Sequence, residues 1–306
     1  MILVTGSTGF IGQYVIELLV ESGLDFRQAH RKVTNLYFSN TIEVGDYSPV
    51  TNWDKALQGV DSIIHLAAIA HNKDYNLEQY QSVNNHAVIQ LAKSASKNGV
   101  KRFIFVSSIG VNGMSTTDLP FQFDSQLHPH NHYSQSKYEA EIGLKKVAIE
   151  TGLEVVIVRP TLVYGRKAPG NFGMLTKFID KFQVTPFGLA NNKRDFISVQ
   201  NLADLLVTCV LHKDAAGNTF LASDGHSVSI KEFTNAIANG LGKHVIHLPI
   251  PEFLMRLAGK LSGRSLMIEQ LFGNLEVDSS NAKTVLGWTP PLTMEQAMAS
   301  LRESDK

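Results

Sequence analysis

The stretch Met1-Ile-Leu-Val-Thr-Gly-Ser-Thr-Gly-Phe-Ile-Gly12 decides the fold. Ile2 to Val4 are three consecutive apolar residues and predict a short buried strand. Gly6, Gly9 and Gly12 then recur at three-residue steps, and apolar residues at Ile11, Val15, Leu18 and Leu19 begin a helical face. Strand, tight glycine turn and helix form a cradle for a pyrophosphate, because the first N–H groups of a helix have no partner within it. Gly6 would permit the turn and Gly9 a close backbone approach, while Gly12 would let the helix lie near the sheet. A glycine turn alone would not specify a nucleotide. Its position between strand and helix does.

Downstream, the same rhythm repeats. Asp25 to Ala29 predicts a second strand, followed by His30-Arg31-Lys32 where a fold that selects NAD usually carries a carboxylate for the ribose. A guanidinium there suits a 2′-phosphate, so NADP(H) is favoured over NAD(H). In Val44-Gly-Asp-Tyr47, Asp46 is placed to accept a hydrogen bond from the adenine amino group, and residues 53–59 read as a short helix. Ser62 to Leu66 is another buried strand, and the small Ala67 and Ala68 at its end admit a close cofactor backbone. A long helix is predicted from Leu77 to Asn98, a strand from Arg102 to Val106, a helix from Ser134 to Glu150 and a strand from Glu154 to Val158, ended by Arg159-Pro160. The alternation predicts an α/β, doubly wound parallel sheet with its ligands at the carboxyl ends of the strands.

Beyond Tyr164-Gly165, prolines and glycines punctuate shorter elements. Residues 1–165 are therefore expected to bind the dinucleotide, and 166–306 to form mainly a smaller substrate-binding lobe. The chain should return to the first domain at about 195–222, through a helix from Val199 to Leu211 and a strand from Thr219 to Ala222.

Composition narrows the function. With 28 Lys plus Arg against 28 Asp plus Glu in 306 residues, no net field recruits nucleic acid or an acidic membrane. The lone Cys209 lies in an apolar run and reads as an inert core thiol, so neither a disulfide nor a metal cluster is expected. No apolar run reaches the length of a membrane span, and a strand beginning at residue 2 leaves no room for a cleavable leader. A cytoplasmic protein is the expectation.

Tyr133 and Lys137 are four residues apart at the start of a helix and face the same way, about twenty-five residues after Ser107-Ser108. Moving a hydride to or from a carbinol carbon requires a proton to move on the attached oxygen. A free phenol, with a pKa of about 10, is a poor base at neutral pH. An ammonium at about 4 Å and an effective dielectric near 20 would favour the phenolate by about 4 kcal/mol before screening. Tyr133 is thus the candidate proton carrier, Lys137 its electrostatic partner and a hydrogen-bond donor to the nicotinamide ribose. A serine hydroxyl would hold the reacting oxygen.

These motifs together resemble the extended short-chain dehydrogenases/reductases of the nucleotide-sugar epimerase/dehydratase group. The matching segments are residues 5–12, His65-Leu-Ala-Ala68, Ser107-Ser108, Tyr133-Ser-Gln-Ser-Lys137, Arg159-Pro-Thr-Leu-Val-Tyr-Gly165, Arg194-Asp-Phe-Ile-Ser-Val199 and Leu286-Gly-Trp-Thr-Pro290, in family order along nearly the whole chain. The resemblance implies a Rossmann-type sheet and a catalytic trio of Ser108, Tyr133 and Lys137. Cofactor contacts are implied at Gly6, Thr8, Gly9, Phe10, Ile11, His30, Arg31, Asp46, Tyr47, Leu66, Ala67, Ala68, Asn84, Tyr133, Lys137 and Pro160. Ser108, Asn171, Arg194 and Arg264 are the implied contacts for a UDP-sugar, with arginine suited to a diphosphate by its two-pronged fork. Relatives also pair into homodimers through the two long helices.

Several reactions share this fold, so local residues must choose among them. Dehydratases of the group carry an Asp-Glu pair after the catalytic serine, where this chain has Ile109-Gly110-Val111. Epimerases usually place an acidic residue after the second strand, where this chain has His30-Arg31. The stretches Val111-Asn-Gly113, Ala190 to Asp195 and Ser223-Asp-Gly225 resemble a subgroup that reduces UDP-4-keto-6-deoxy-hexosamines at C4. That reduction is the expected reaction, with UDP-sugar 4-epimerisation as the alternative. A regulator that binds the cofactor without chemistry is disfavoured because the trio is intact.

Overall fold

A computed structural model describes residues 1–32, 40–70, 75–263 and 265–302. The chain opens with β1 (Ile2–Thr5), α1 (Phe10–Glu21), β2 (Phe26–His30), β3 (Thr41–Glu43), α2 (Asp54–Leu57) and β4 (Ser62–His65). It continues through α3 (Leu77–Gln81), a π-helical turn at Ser82–His86, α4 (Ala87–Lys97), β5 (Arg102–Val106), α5 (His132–Thr151) and β6 (Glu154–Pro160). Seven parallel strands form the sheet in the order β10-β6-β5-β4-β1-β2-β3, the seventh being Thr219–Ala222. Strand order reverses between β1 and β4, so their carboxyl ends open the crevice in which such sheets bind ligands.

Alternation along each strand splits the core in two. Ile2, Val4, Ile64, Ile104 and Val106 face one layer, with Val15 and Leu19 of α1 and Leu202 and Leu206 of a helix at Val199–Leu211. Leu3, Ile63, Phe103 and Phe105 face the other, with Leu91 of α4 and Leu144 of α5. Strands buried on both faces need helices on both sides, which makes the sheet doubly wound. Cys209 lies fully buried in the first layer, where burial pushes its thiol up to about 12. It is inert.

Past Pro160 come β7 (Leu162–Tyr164), α6 (Gly170–Phe182), β8 (Val184–Thr185), β9 (Phe196–Ser198), α7 (Val199–Leu211) and β10 (Thr219–Ala222). Then follow α8 (Ile230–Gly240), β11 (Ile246–His247), α9 (Glu252–Leu261), α10 (Ser265–Phe272), α11 (Ser280–Leu286) and α12 (Met294–Ala299). A separate aromatic core holds α6, α8, α10 and α12, with Phe196 stacked on Phe233 and Tyr164 edge-on to Phe233.

The predicted helix at 77–98 differs most. It is interrupted by the π-helical turn, and Asn84 within that turn is fully buried. Its amide accepts from the N–H of Ile69 at 2.9 Å and donates to that residue's carbonyl at 2.9 Å and to Ser136 Oγ at 3.1 Å. One side chain thus ties the loop after β4 to α5. A π turn admits this by an extra backbone residue, a device frequent at functional sites.

Candidate active site

The glycine loop is tightly packed. Gly6 has φ +71°, and a Cβ there would meet the backbone nitrogen of Ala67 at 2.7 Å. The loop after β4 therefore packs on the glycine turn, with the N–H of Leu66 donating to the Thr5 carbonyl at 3.2 Å. Gly12 acts differently from expectation. A Cβ on it would overlap the Gly6 carbonyl oxygen and Ser7, so its role is to bring the loop, rather than the sheet, against α1. Thr8 and Gly9 lie exposed at the mouth, and Phe10 and Ile11 are half-buried in the first turn of α1. Gly9 at the N-cap supplies no side-chain acceptor and the first turn holds no acid. The N–H groups there are left to an outside acceptor, so the loop fits a diphosphate. Gly6→Ala is expected to purify without its dinucleotide, read as loss of cofactor released on heat denaturation, because the substitution meets both a forbidden φ and a backbone atom.

At the end of β2, His30 Nε2 and Ser7 Oγ lie 3.1 Å apart, and desolvation lowers the imidazole below its ordinary value. Arg31 follows, exposed. Asp46 is also exposed, whereas Tyr47 turns inward. The Tyr47 hydroxyl donates to the Ala29 carbonyl at 2.8 Å and its ring packs on Trp53, with burial pushing the phenol upward. Ala67 is half-buried and Ala68 exposed beside the turn, and Pro160 closes β6 in a buried position.

Helix α5 carries Tyr133 and Lys137 in its first turns. Its start is fixed by a capping box in which Ser134 N–H donates to Asn131 Oδ1 at 2.8 Å and Asn131 N–H to Ser134 Oγ at 3.1 Å. Ser108 caps the short turn Ile109–Val111, accepting from the Gly110 N–H at 3.1 Å. Gly110 has both the Ser108 hydroxyl and Ser134 Cβ close enough to touch an added Cβ, at 3.3 Å each, so the strand-end serine and the head of α5 meet there. Tyr133 lies edge-on to Tyr80 at 6.4 Å.

The electrostatics correct one expectation. Lys137 Nζ donates to the Val106 carbonyl at 2.9 Å, sits over the Phe105 ring at 4.6 Å and is 6.0 Å from the Tyr133 ring centre. Burial dominates both groups. It pushes the Tyr133 phenol up to about 12, with Tyr80 adding to the rise, and the Lys137 ammonium down to about 7 against an opposing pull from Glu141. Desolvation is the leading cause of both shifts, and the ammonium, 6.0 Å from the ring centre, does not offset it for the phenol.

Glu141 was not among the expected site residues. It continues the Tyr133, Lys137 face by one more turn, and its side chain is 2% exposed. Ser107 Oγ donates to its Oε1 at 2.6 Å, Arg159 Nε to Oε1 at 2.9 Å and Arg159 Nη2 to Oε2 at 2.6 Å. Arg159 Nη1 then reaches Asn112 Oδ1 at 3.0 Å. A fully satisfied ion pair therefore lies behind Lys137. Its sequence signal is the i, i+4, i+8 spacing of Tyr133, Lys137 and Glu141. His65 lies buried in the same region, its ring stacked on Phe105 and its Nδ1 2.9 Å from Thr5 Oγ1. Burial and the Lys137 charge lower it to about 3.

Asn171 and Arg194 converge on one element, the helix α10. Asn171 Nδ2 donates to Gln270 Oε1 at 3.0 Å, and the buried Arg194 donates through Nη1 to the Gly273 carbonyl at 2.7 Å, with burial lowering it to about 10. Arg264 lies outside the described residues. Among those described, no three His, Cys, Asp or Glu side chains group to hold a metal, and no helix is long and apolar enough to cross a membrane.

Residues 2–222 match the NAD dependent epimerase/dehydratase family. Over 302 residues the chain is 41% identical to a UDP-glucose 4-epimerase of Vibrio cholerae, spanning 96% of this chain and 92% of that one. Its fold is similar to that of a UDP-N-acetylglucosamine 4-epimerase from Bacillus cereus, with a TM-score of 0.80 at 21% identity over 98% of this chain and 97% of that one. A UDP-glucuronic acid 4-epimerase from Bacillus cereus, solved with NAD, is similar at a TM-score of 0.76 and 21% identity over 98% and 96%. This chain is an enzyme of the NAD-dependent epimerase/dehydratase family, an extended short-chain dehydrogenase/reductase.

Proposed function

We propose that this enzyme is a UDP-sugar 4-epimerase that keeps one dinucleotide bound through oxidation and re-reduction at C4. The observation that carries the reading is the 41% identity to a UDP-glucose 4-epimerase along 96% of the chain. It favours this alternative over the 4-keto reduction expected from the local motifs. Bound NAD(P) would supply the hydride acceptor and, when oxidised, a positive charge that favours the Tyr133 phenolate. Residues 6–11 would hold its diphosphate. Tyr133 would take the proton from the C4 hydroxyl and return it to the same oxygen once the ketone has presented its opposite face, its raised value suiting it to the return step. Ser108 would donate to the same oxygen. Lys137, anchored to the Val106 carbonyl, would hold a positive charge under the phenol and reach the ribose. Asn171 and Arg194, both on the α10 side, would meet the UDP moiety.

A second reading has its own observation. His30, bonded to Ser7, and Arg31 occupy the position where a carboxylate would select NAD, and they suit a 2′-phosphate. That favours an NADPH-dependent reduction of a UDP-4-keto-6-deoxy-hexosamine. Incubation of the purified enzyme with UDP-glucose or UDP-N-acetylglucosamine, without added cofactor, should yield the C4 epimer. Oxidation of added NADPH by the 4-keto sugar, with no epimer formed, would assign the reductase instead.

A further inference from the structure

Two helices of the C-terminal part are amphipathic the wrong way round for a core. In α6, Met174, Phe178 and Phe182 recur every four residues and are 59%, 43% and 54% exposed. In α9, Phe253, Leu257 and Leu261 do the same and are 66%, 51% and 82% exposed. Both helices turn other residues inward, Phe172 and Ile179 from the first and Met255 from the second. Their apolar stripes therefore point away from the protein.

A basic residue precedes the second and third apolar residue of each stripe. Lys177 and Lys181 stand before Phe178 and Phe182, and Arg256 and Lys260 before Leu257 and Leu261. At about 100° per residue, this puts two cations along the same edge of each stripe. Lys181 Nζ reaches over the Phe182 ring at 5.3 Å. The acids on this surface are already engaged, Asp180 by Lys243 and both Glu252 and Glu269 by Arg256. Lys177, Lys181 and Lys260 form no ion pair among the described residues. Strand β11 meets the end of α6, where Ile246 N–H donates to the Gln183 carbonyl, and Ile246 and Leu248, both exposed, precede α9 in the chain.

We propose that α6 and α9 form a docking surface for an anionic phospholipid bilayer, with the two apolar stripes entering the headgroup boundary and the flanking lysines on the phosphates. Phe and Leu on one face with Lys at its border is the composition of a helix that lies in the membrane interface. Charge argues against a second copy of the chain, because a self-complementary contact would bring together two patches that both carry the unpaired Lys177, Lys181 and Lys260. An anionic bilayer offers them opposite charge, about 1 kcal/mol for each lysine near the surface, or roughly fivefold in partition. The balanced overall charge of the chain does not oppose this, since recruitment acts through the local patch within a Debye length.

The test is sedimentation of the purified enzyme with vesicles of phosphatidylcholine alone and of phosphatidylcholine with phosphatidylglycerol in about equal parts. The enzyme should pellet with the mixed vesicles, less with phosphatidylcholine alone, and progressively less as salt rises. Lys177→Glu with Lys181→Glu, and separately Phe182→Ser with Leu261→Ser, should each weaken this partition by at least about tenfold. Both pairs should leave turnover of the nucleotide sugar and the melting temperature unchanged. An enzyme that stays in the supernatant with both vesicles would overturn the proposal, as would variants that pellet like the parent. So would a solution dimer that Phe182→Ser with Leu261→Ser dissociates while vesicles are ignored, which would assign the surface to a second copy.

Discussion

Tyr133→Phe is expected to lower turnover by roughly a thousandfold while the enzyme still folds and still carries its dinucleotide. The substitution removes one oxygen. The ring keeps its edge contact with Tyr80, and among the described residues the Tyr133 hydroxyl makes no hydrogen bond, so stability has little reason to change. What is lost is the group that moves the proton at the C4 oxygen. Lys137 cannot replace it, because its ammonium is engaged with the Val106 carbonyl. Steady-state kcat together with cofactor content per chain checks this. An unchanged kcat would remove Tyr133 from the chemistry.

The second large effect concerns stability. Glu141 and Arg159 form a two-pronged pair with side-chain exposures of 2% and 1%, and Ser107 and Asn112 satisfy the remaining bonds. Removing one charge leaves the other buried without compensation, which costs about 3–5 kcal/mol. Glu141→Leu alone, or Arg159→Met alone, should therefore lower the denaturant midpoint sharply. The double replacement should recover much of the loss, because two apolar side chains carry no stranded charge. Single variants within about 1 kcal/mol of the parent would mean that water reaches the pair and screens it. Glu141→Leu should also lower turnover beyond its loss of folded protein, since Glu141 pulls the Lys137 ammonium upward against burial.

How much of this was legible in the sequence follows from the range of each interaction. The strand, glycine turn and helix at the N-terminus are local, and the structure has β1, the turn and α1 where their residues predict them. Helix Val199–Leu211 and strand Thr219–Ala222 have the predicted bounds for the same reason. The π turn was hidden because Val83, Ala87 and Leu91 keep a four-residue spacing straight through it. Its cause is the bond from Asn84 to Ile69, fifteen residues away across the crevice. The Glu141–Arg159 pair was hidden for a similar reason, since its partners meet only when β6 lies beside α5. The Lys137 ammonium was expected to act on Tyr133, and the sequence could not show that burial would outweigh it or that the Val106 carbonyl would hold it. Asn171 and Arg194 could be named from their motifs. Their convergence on α10 could not.

The most direct test of the epimerase claim is proton NMR of UDP-glucose incubated in deuterium oxide with the purified enzyme and no added cofactor. If one bound dinucleotide removes and returns the C4 hydride, the C4 epimer accumulates with protium retained at C4. Deuterium at C4, or no epimer while added NADPH is consumed by a 4-keto sugar, would contradict it.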